Sequence, residues 1–501
     1  MMEKKTLLYI FIITLVGGLL YWYNFDPKPD LNGDNANYFM LGKALKTGAG
    51  YVNITAPDLR PNNHFPPGYP AIIATAFLIF PDTFITVKLL NGLFFIVACL
   101  LVFWLVKNIT GNAKLSLLFA LIVAFNAHLL KYSSMMMTEI PFLFLSLSSL
   151  YFFLKTPQTN ALKSKEFWFS LVLLVVAYYV RSLAVALFGA YCLVFLFSKR
   201  WKELGAAIAL VVGAIVPWMV RSQQLGGNSY VKQLLRVNPY RPEMGQAGIS
   251  DFAARFFNNL ERYITLEIPS GILPFLEVDY SKSANFAYWI LGLLLVGVIA
   301  FGLYKIPKYK LLLSAYIGAT LFILMLWPDV WKGIRFLLPL VPVLLVAMAV
   351  ALQHFLEYLQ KKTTVQINIL YLLPVVLVFW TSIKKNHQMA AAPMTPNWSN
   401  YFATAQWVKN NLPSEVTVAC RKPTLFYLES NSKTTNYKYT KDAEELLNHL
   451  KRKNVDYVVL DQLGYSSTYQ YLLPAIQANR DKFVLQVQFK NPDTYLFKFM
   501  P

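Results

Sequence analysis

Charge is scarce in this chain. Only 14% of its 501 residues are Asp, Glu, Lys or Arg, against roughly 25% in a typical soluble domain. Together with a hydrophobic fraction of 56%, that shortage excludes an ordinary soluble protein and indicates an integral membrane protein. Cysteine is scarcer still. Cys99, Cys192 and Cys420 are the whole set; their spacing fits no metal site, and two of them lie inside apolar runs, which argues against a disulfide framework. No Gly-rich phosphate loop and no internal repeat is found. Acidic residues number 26 against 46 basic ones, for a net charge of +20. Nucleic-acid binding would concentrate that excess on a recognition helix or a basic tail, and neither is present. The basic residues lie instead in short clusters between apolar runs, as membrane topology demands.

What is present is a series of apolar runs. Lys4-Lys5 precede the first, 6–23. No small-residue cleavage site follows it, so it reads as an uncleaved first helix with a cytoplasmic start. Further runs at 84–106, 115–130, 140–154, 167–180, 183–197, 204–220, 286–304, 311–327, 336–352 and 367–383 bring the expected count to about eleven spans. The run 71–80 is too short to cross and is expected to lie at the interface or dip in. Counting from a cytoplasmic N-terminus places Lys107/Lys114, Lys155/Lys163/Lys165, Lys199/Arg200/Lys202, Lys305/Lys308/Lys310 and Lys361/Lys362 in inner loops, as the positive-inside rule requires. The segments 24–70, 221–285 and 384–501 then fall outside. The tail changes character: helices near 398–412, 442–453 and 469–479 alternate with strands at 415–419, 455–461, 483–489 and 494–499. The expectation is a mainly α, polytopic bundle over 1–383, with a small extracytoplasmic α/β domain over 384–501.

The first outer loop carries the most chemistry. Asp34 stands in Gly33-Asp34-Asn35, ahead of a helix in which Tyr38, Leu41 and Leu45 recur at helical spacing and Gly48 is the stop. With Lys43 and Lys46 on it, this helix is expected to lie on the membrane surface. Asp34 reads either as a general base or as the helix N-cap. The loop ends in His64-Phe65-Pro66-Pro67-Gly68-Tyr69-Pro70, a rigid turn. Glu139, in Thr138-Glu139-Ile140-Pro141, opens an apolar span at the same outer side and reads either as functional or as a carboxylate favoured by the helix dipole. Arg181 and Arg335 are expected on that side too, against the bias of the other basic residues. A guanidinium there suits a lipid phosphate through its bidentate fork, and snorkelling to the interface is the plainer reading. His64 is either a further phosphate or acceptor contact or a loop histidine. The stretch 228–272, rich in arginine and aromatics, is either a lid over the acceptor or an ordered loop. Met135-Met136-Met137 reads as packing.

Taken together, Gly33-Asp34-x-x-x-Tyr38, Pro66-Pro67-Gly68-Tyr69-Pro70, Thr138-Glu139-Ile140-Pro141 and Arg335-Phe336-Leu337-Leu338-Pro339 form a pattern. It resembles the GT-C membrane glycosyltransferases, in particular bacterial relatives of the protein O-mannosyltransferases and of the lipid A aminoarabinose transferase. The mannosyltransferases have an Asp-Glu pair where this chain has Asp34-Asn35. His64 stands near the place of a phosphate-contacting lysine of the aminoarabinose enzyme. The resemblance implies a polyprenyl-phosphate sugar donor, an acceptor outside the cytoplasm and inversion at the sugar carbon. It makes Asp34 the general base and Glu139 the second carboxylate, orienting the acceptor or a cation. Arg335, with Arg181 or His64, then holds the phosphate, and Tyr38 and Tyr69 line the substrate. Asp34 and Glu139 also offer oxygen ligands to a divalent cation.

Two enzyme readings and two others stay open at this point. A polymerase or ligase would use a diphosphate-linked donor. A secondary transporter would show two related halves with charges at the bilayer midplane; here no repeated halves are found and the notable charges lie at span ends. A sensor would leave the elaborate first loop unexplained.

Overall fold

The computed structural model describes residues 4–227, 229–282, 284–363 and 368–501. Ile367, where the last expected span begins, and Asn228, where the expected lid begins, lie outside the described residues. In lipid a backbone must satisfy its own polar groups, so apolar runs become helices. Six described helical stretches are long and apolar enough to cross a membrane: Lys4–Tyr23, Phe84–Thr110, Trp201–Gln224, Phe286–Lys305, Leu338–Lys362 and Ile369–Asn411. The pair Ala113–Ala124 and Ala127–Ser133, bent by 61°, makes a seventh if counted as one span. Length and apolarity therefore do not reach the expected eleven. The remaining runs are helical but short. Glu139–Lys155 has 17 residues, and Lys165–Val180 and Lys310–Met325 have 16 each; at 1.5 Å per residue these fall short of the roughly 30 Å hydrocarbon core.

The helices Phe84–Thr110, Glu139–Lys155 and Val341–Lys362 supply much of the buried core, and Glu139–Lys155 is enclosed along most of its length. Outer helices expose apolar side chains such as Leu7, Phe11, Leu19, Ile290 and Leu293, as lipid contact requires. The bundle has two chemically distinct ends. Lys107, Lys155, Lys305, Lys361 and Lys362 occupy the last turns of their helices. Glu139 begins the helix that Lys155 ends, and so lies at the opposite end.

The first-loop helix runs Asp34–Lys46. Its cap is Gly33, at φ +96°, and Asp34 is its first residue with no capping hydrogen bond, so the N-cap reading of Asp34 is incorrect. Nor does the helix lie on the membrane with one face bare. Asn35, Ala36 and Tyr38 through Gly42 are buried, because the helix is clasped between Gly68–Phe77 and the C-terminal helix Pro423–Ser430. The ten-residue helix Gly68–Phe77 is too short to span, and Leu78, Ile79 and Phe80 beyond it are exposed. Gly68 allows it to touch its neighbour: a Cβ there would lie 2.5 Å from the Tyr179 carbonyl carbon.

The C-terminal part is an α/β unit. Strands β1 (Thr417–Ala419), β2 (Lys433–Thr435), β3 (Tyr457–Leu460), β4 (Phe483–Phe489) and β5 (Thr494–Phe499) form one sheet in the order β2-β1-β3-β5-β4. The first three are mutually parallel and the last two antiparallel. Helix Pro423–Ser430 and strand β2 were not anticipated. The unit is tied to the first loop by hydrogen bonds from Thr424 Oγ1 to Asn37 Oδ1 (2.6 Å), Thr434 N to Thr55 O (2.9 Å) and Lys433 Nζ to Ile54 O (2.9 Å).

Candidate active site

A carboxylate at the first turn of a buried helix needs cations. Glu139 has two: Arg335 Nε donates to its Oε1 at 2.6 Å, and Arg181 Nη1 lies 2.8 Å from the same oxygen. Arg181 reaches it because the chain breaks there, between helix Lys165–Val180 and the next helical turn, in extended backbone at φ −155°. Arg335 comes from the 3-10 turn Ile334–Phe336 ahead of the Leu338–Lys362 span. Both guanidinium groups lie over the Phe336 ring, at 5.9 and 5.6 Å. Arg335 then extends Nη2 to Asp34 Oδ2 at 3.2 Å. Four of the expected residues, from four separate segments, thus form one chain of charge: Arg181, Glu139, Arg335, Asp34.

Exposure separates the two acids. The Glu139 side chain is 1% exposed and the Asp34 side chain 36%. Asp34 is open to a reacting group, whereas Glu139 is enclosed and holds the two arginines. Burial works against the Arg335 charge, but Glu139 and Asp34 outweigh it and hold its pKa well above the ordinary arginine value. Tyr38, 4% exposed, acts on Arg335 in the same sense. It packs against Phe65 and Tyr69, at 4.7 and 5.3 Å between rings. Tyr69, expected beside substrate, is fully buried with its hydroxyl paired to Asn91, and so forms the wall that carries the loop. His64 is brought to Asp34: burial lowers its pKa, and the Asp34 charge opposes that shift. At neutral pH it is therefore a weak source of positive charge.

Two features of the site were missed. Lys422, from the C-terminal unit, crosses the start of the loop helix and donates from Nζ to Asn32 O at 2.6 Å. Gly33 makes room for it, since a Cβ there would stand 3.2 Å from that nitrogen. Burial, then the neighbouring Arg421, lower the Lys422 pKa to about 8, with Asp34 and Asp461 pulling the other way. The second is a buried ion pair, Lys88 to Asp30 at 2.9 Å. Lys88 also donates to the Asp26 and Lys28 carbonyls, at 2.8 and 2.5 Å. Asp30 accepts from Met136 N at 2.7 Å. This pair pins the start of the loop to the turn that leads into Glu139. A lysine near the beginning of the apolar run 84–106 was the available signal.

Among the described residues there is no group of three or more His, Cys, Asp or Glu placed to hold a metal ion. Asp34 and Glu139 share Arg335, whose guanidinium already fills the position between them, so this pair does not fit a divalent cation. Met136 and Met137 are buried in the core. In the expected lid, helix Ile249–Arg262 is followed by a wide turn in which Arg262 Nε pairs with buried Glu267 at 2.7 Å.

The family model described as dolichyl-phosphate-mannose-protein mannosyltransferase matches residues 65–225, which include Tyr69, Glu139 and Arg181. No curated protein matches the sequence. Among solved structures, the fold is similar to ArnT from Cupriavidus metallidurans bound to undecaprenyl phosphate. That likeness has TM-score 0.62 and 11% identity, and covers 98% of this chain and 97% of that one. It is also similar to the archaeal oligosaccharyltransferase AglB from Archaeoglobus fulgidus, in complex with an inhibitory peptide and a dolichol-phosphate (TM-score 0.60, 12% identity, 99% and 74% covered). The mycobacterial arabinofuranosyltransferase AftD is a more distant likeness, at TM-score 0.51, 13% identity and 99% and 42% covered. This multi-pass helical chain thus shares the fold of these membrane glycosyltransferases, and over residues 65–225 it matches the mannosyltransferase family model.

Proposed function

We propose that this protein moves a sugar from a polyprenyl-phosphate carrier to an extracytoplasmic acceptor hydroxyl, with inversion and with Asp34 as general base. One observation carries the reading: the accessible carboxylate of Asp34 is held by an arginine whose other edge is anchored on buried Glu139. The two acids and two arginines balance, so a donor phosphate brings net negative charge. Arg335 Nη2 turns from Asp34 to the phosphate, and Lys422 adds a second cation. Asp34, released, accepts the proton of the acceptor hydroxyl. The acceptor oxygen bonds to the sugar carbon from the face opposite the carrier. The carbon–oxygen bond to phosphate breaks, and the phosphate leaves with the electron pair. A single carboxylate suffices because the phosphate leaves without being protonated, unlike the leaving group in glycoside hydrolysis. The structures solved with undecaprenyl phosphate and with a dolichol-phosphate support a carrier of this kind.

In this reading residues 1–383 carry catalysis and 384–501 cover it from outside. The N-terminus and the lysine-rich end face the cytoplasm of a bacterium, and the membrane is its inner membrane. Transfer of radiolabelled sugar by the protein in lipid nanodiscs tests the chemistry. Transfer from a polyprenyl-phosphate sugar supports it, and transfer only from a diphosphate-linked oligosaccharide overturns the donor. Labelling of cysteines placed in 384–501 on intact cells tests the topology; label that enters only after permeabilisation overturns it.

A further inference from the structure

In α/β sheets, ligands gather at the carboxyl ends of the parallel strands, where successive loops converge. Here β1 is followed by Arg421 and Lys422, β2 by Tyr437 and Tyr439, and β3 by Asp461 and Tyr465. These groups meet. The Arg421 guanidinium lies over the rings of Tyr465 and Tyr439, at 4.3 and 5.5 Å, and Lys422 Nζ lies over Tyr465 at 4.6 Å. Asp461 is 1% exposed; one carboxylate oxygen accepts from Leu463 N at 3.1 Å, while Oδ2 has no partner. Arg421 Nε is likewise buried without a partner. Tyr401 fixes the β1 turn, its hydroxyl donating to Lys422 O at 3.0 Å. The cluster adjoins the catalytic loop, because Lys422 bonds to Asn32, two residues before Asp34.

A buried donor and a buried acceptor, both unfilled, set a condition on what binds. Each costs free energy unless paired. An anion fills only the donor, and an ammonium only the acceptor. Hydroxyl groups do both, since each gives one hydrogen and accepts others. Tyr439 and Tyr465, both half-buried, add apolar surface beside the two unfilled groups.

We propose that Arg421, Asp461, Tyr439 and Tyr465 form a subsite for a sugar chain on the acceptor, which Lys422 and the loop helix connect to Asp34. The assignment of that sugar to the acceptor rests on the glycosyltransfer reading above; the subsite itself rests on the two unfilled groups. The test uses the full-length protein in lipid nanodiscs, probed on a printed array of bacterial envelope oligosaccharides, with undecaprenyl phosphate binding measured separately. Wild type is retained on one or more oligosaccharides. Asp461→Asn and Arg421→Lys weaken retention about tenfold or more, the loss expected for a buried hydrogen bond to a charged group, and keep undecaprenyl phosphate binding. Arg421→Lys retains charge and stem, so it decides the matter if Asp461→Asn does not fold. Wild type that binds undecaprenyl phosphate and no oligosaccharide overturns the subsite and leaves the glycosyltransfer reading standing. Folded variants retained as well as wild type also overturn it. Oligosaccharide retention that both variants weaken, without undecaprenyl phosphate binding, supports the subsite and removes the donor reading.

Discussion

Arg335 Nη2 lies 3.2 Å from the Asp34 carboxylate across a sequence separation of 301 positions. The contact joins the first loop to the last part of the bundle, and it holds the Asp34 carboxylate in place. Asp34→Asn keeps the size of the side chain and a hydrogen-bonding oxygen for Arg335, but removes the proton acceptor. Transfer is expected to fall by roughly 10²–10⁴ with the melting temperature little changed. Radiolabelled transfer and thermal unfolding of the same preparation check this, and near wild-type turnover removes Asp34 from the mechanism.

Glu139→Gln should behave differently. It removes the buried carboxylate with which both arginines pair. Removing one partner of a buried ion pair costs about 3–5 kcal/mol, so stability and transfer are expected to fall together. A folded Glu139→Gln protein with unchanged melting temperature contradicts the positioning role.

Lys88 and Asp30 make a case for a double-mutant cycle. Each of Lys88→Met and Asp30→Asn leaves a buried group unpaired and is expected to lower stability by about 3–5 kcal/mol. The double variant should lose less than the sum, because the two residues act as one unit. Additive losses by thermal or denaturant unfolding would show that the pair does not hold the loop.

Lys422 predicts a pH dependence. Burial, with Arg421 beside it, brings its pKa down to about 8, so it is charged below that pH and neutral above it. A polyprenyl-phosphate sugar is a diester whose charge does not change in this range. Its affinity is therefore expected to weaken as pH rises past about 8, and Lys422→Arg, which stays charged, should flatten the profile. Titrating donor binding between pH 7 and 9 for both proteins decides it. Parallel profiles exclude Lys422 from the phosphate.

Much of this site was legible because charges at the ends of apolar runs are costly and therefore informative. Asp34, Glu139, Arg181 and Arg335 all declared themselves that way, and they meet. The strands 483–489 and 494–499, rich in Phe, Val and Tyr, match β4 and β5. Other features gave weaker signals. Lys88 sits one turn inside a run that is otherwise apolar, and a hydropathy reading passes over it. Strand β2, Lys-Thr-Thr, is three residues at a sheet edge and has no apolar alternation. Lys422 is one lysine among many in the C-terminal α/β unit, and nothing local says that it reaches back to Asn32. The burial of the helix Asp34–Lys46 on nearly every side was hidden for the same reason: its second cover is almost 400 residues away. The expected count of eleven spans is not reached by length and apolarity, because several runs are helical without being long.

The clasp between residues 32–55 and 422–434 also bears on the order in which the chain is made. On the proposed topology the loop emerges from the translocation machinery well before Lys422, Thr424, Lys433 and Thr434, which cover it and lie almost 400 residues further along the chain. A nascent chain carries Asp34 through almost 400 further residues of synthesis without the wall beside it. Chains arrested before residue 384 should therefore expose the loop to external protease and transfer no sugar, and full-length chains should resist cleavage there. Activity would then be timed by the ribosome, switched on when the tail folds back on the loop.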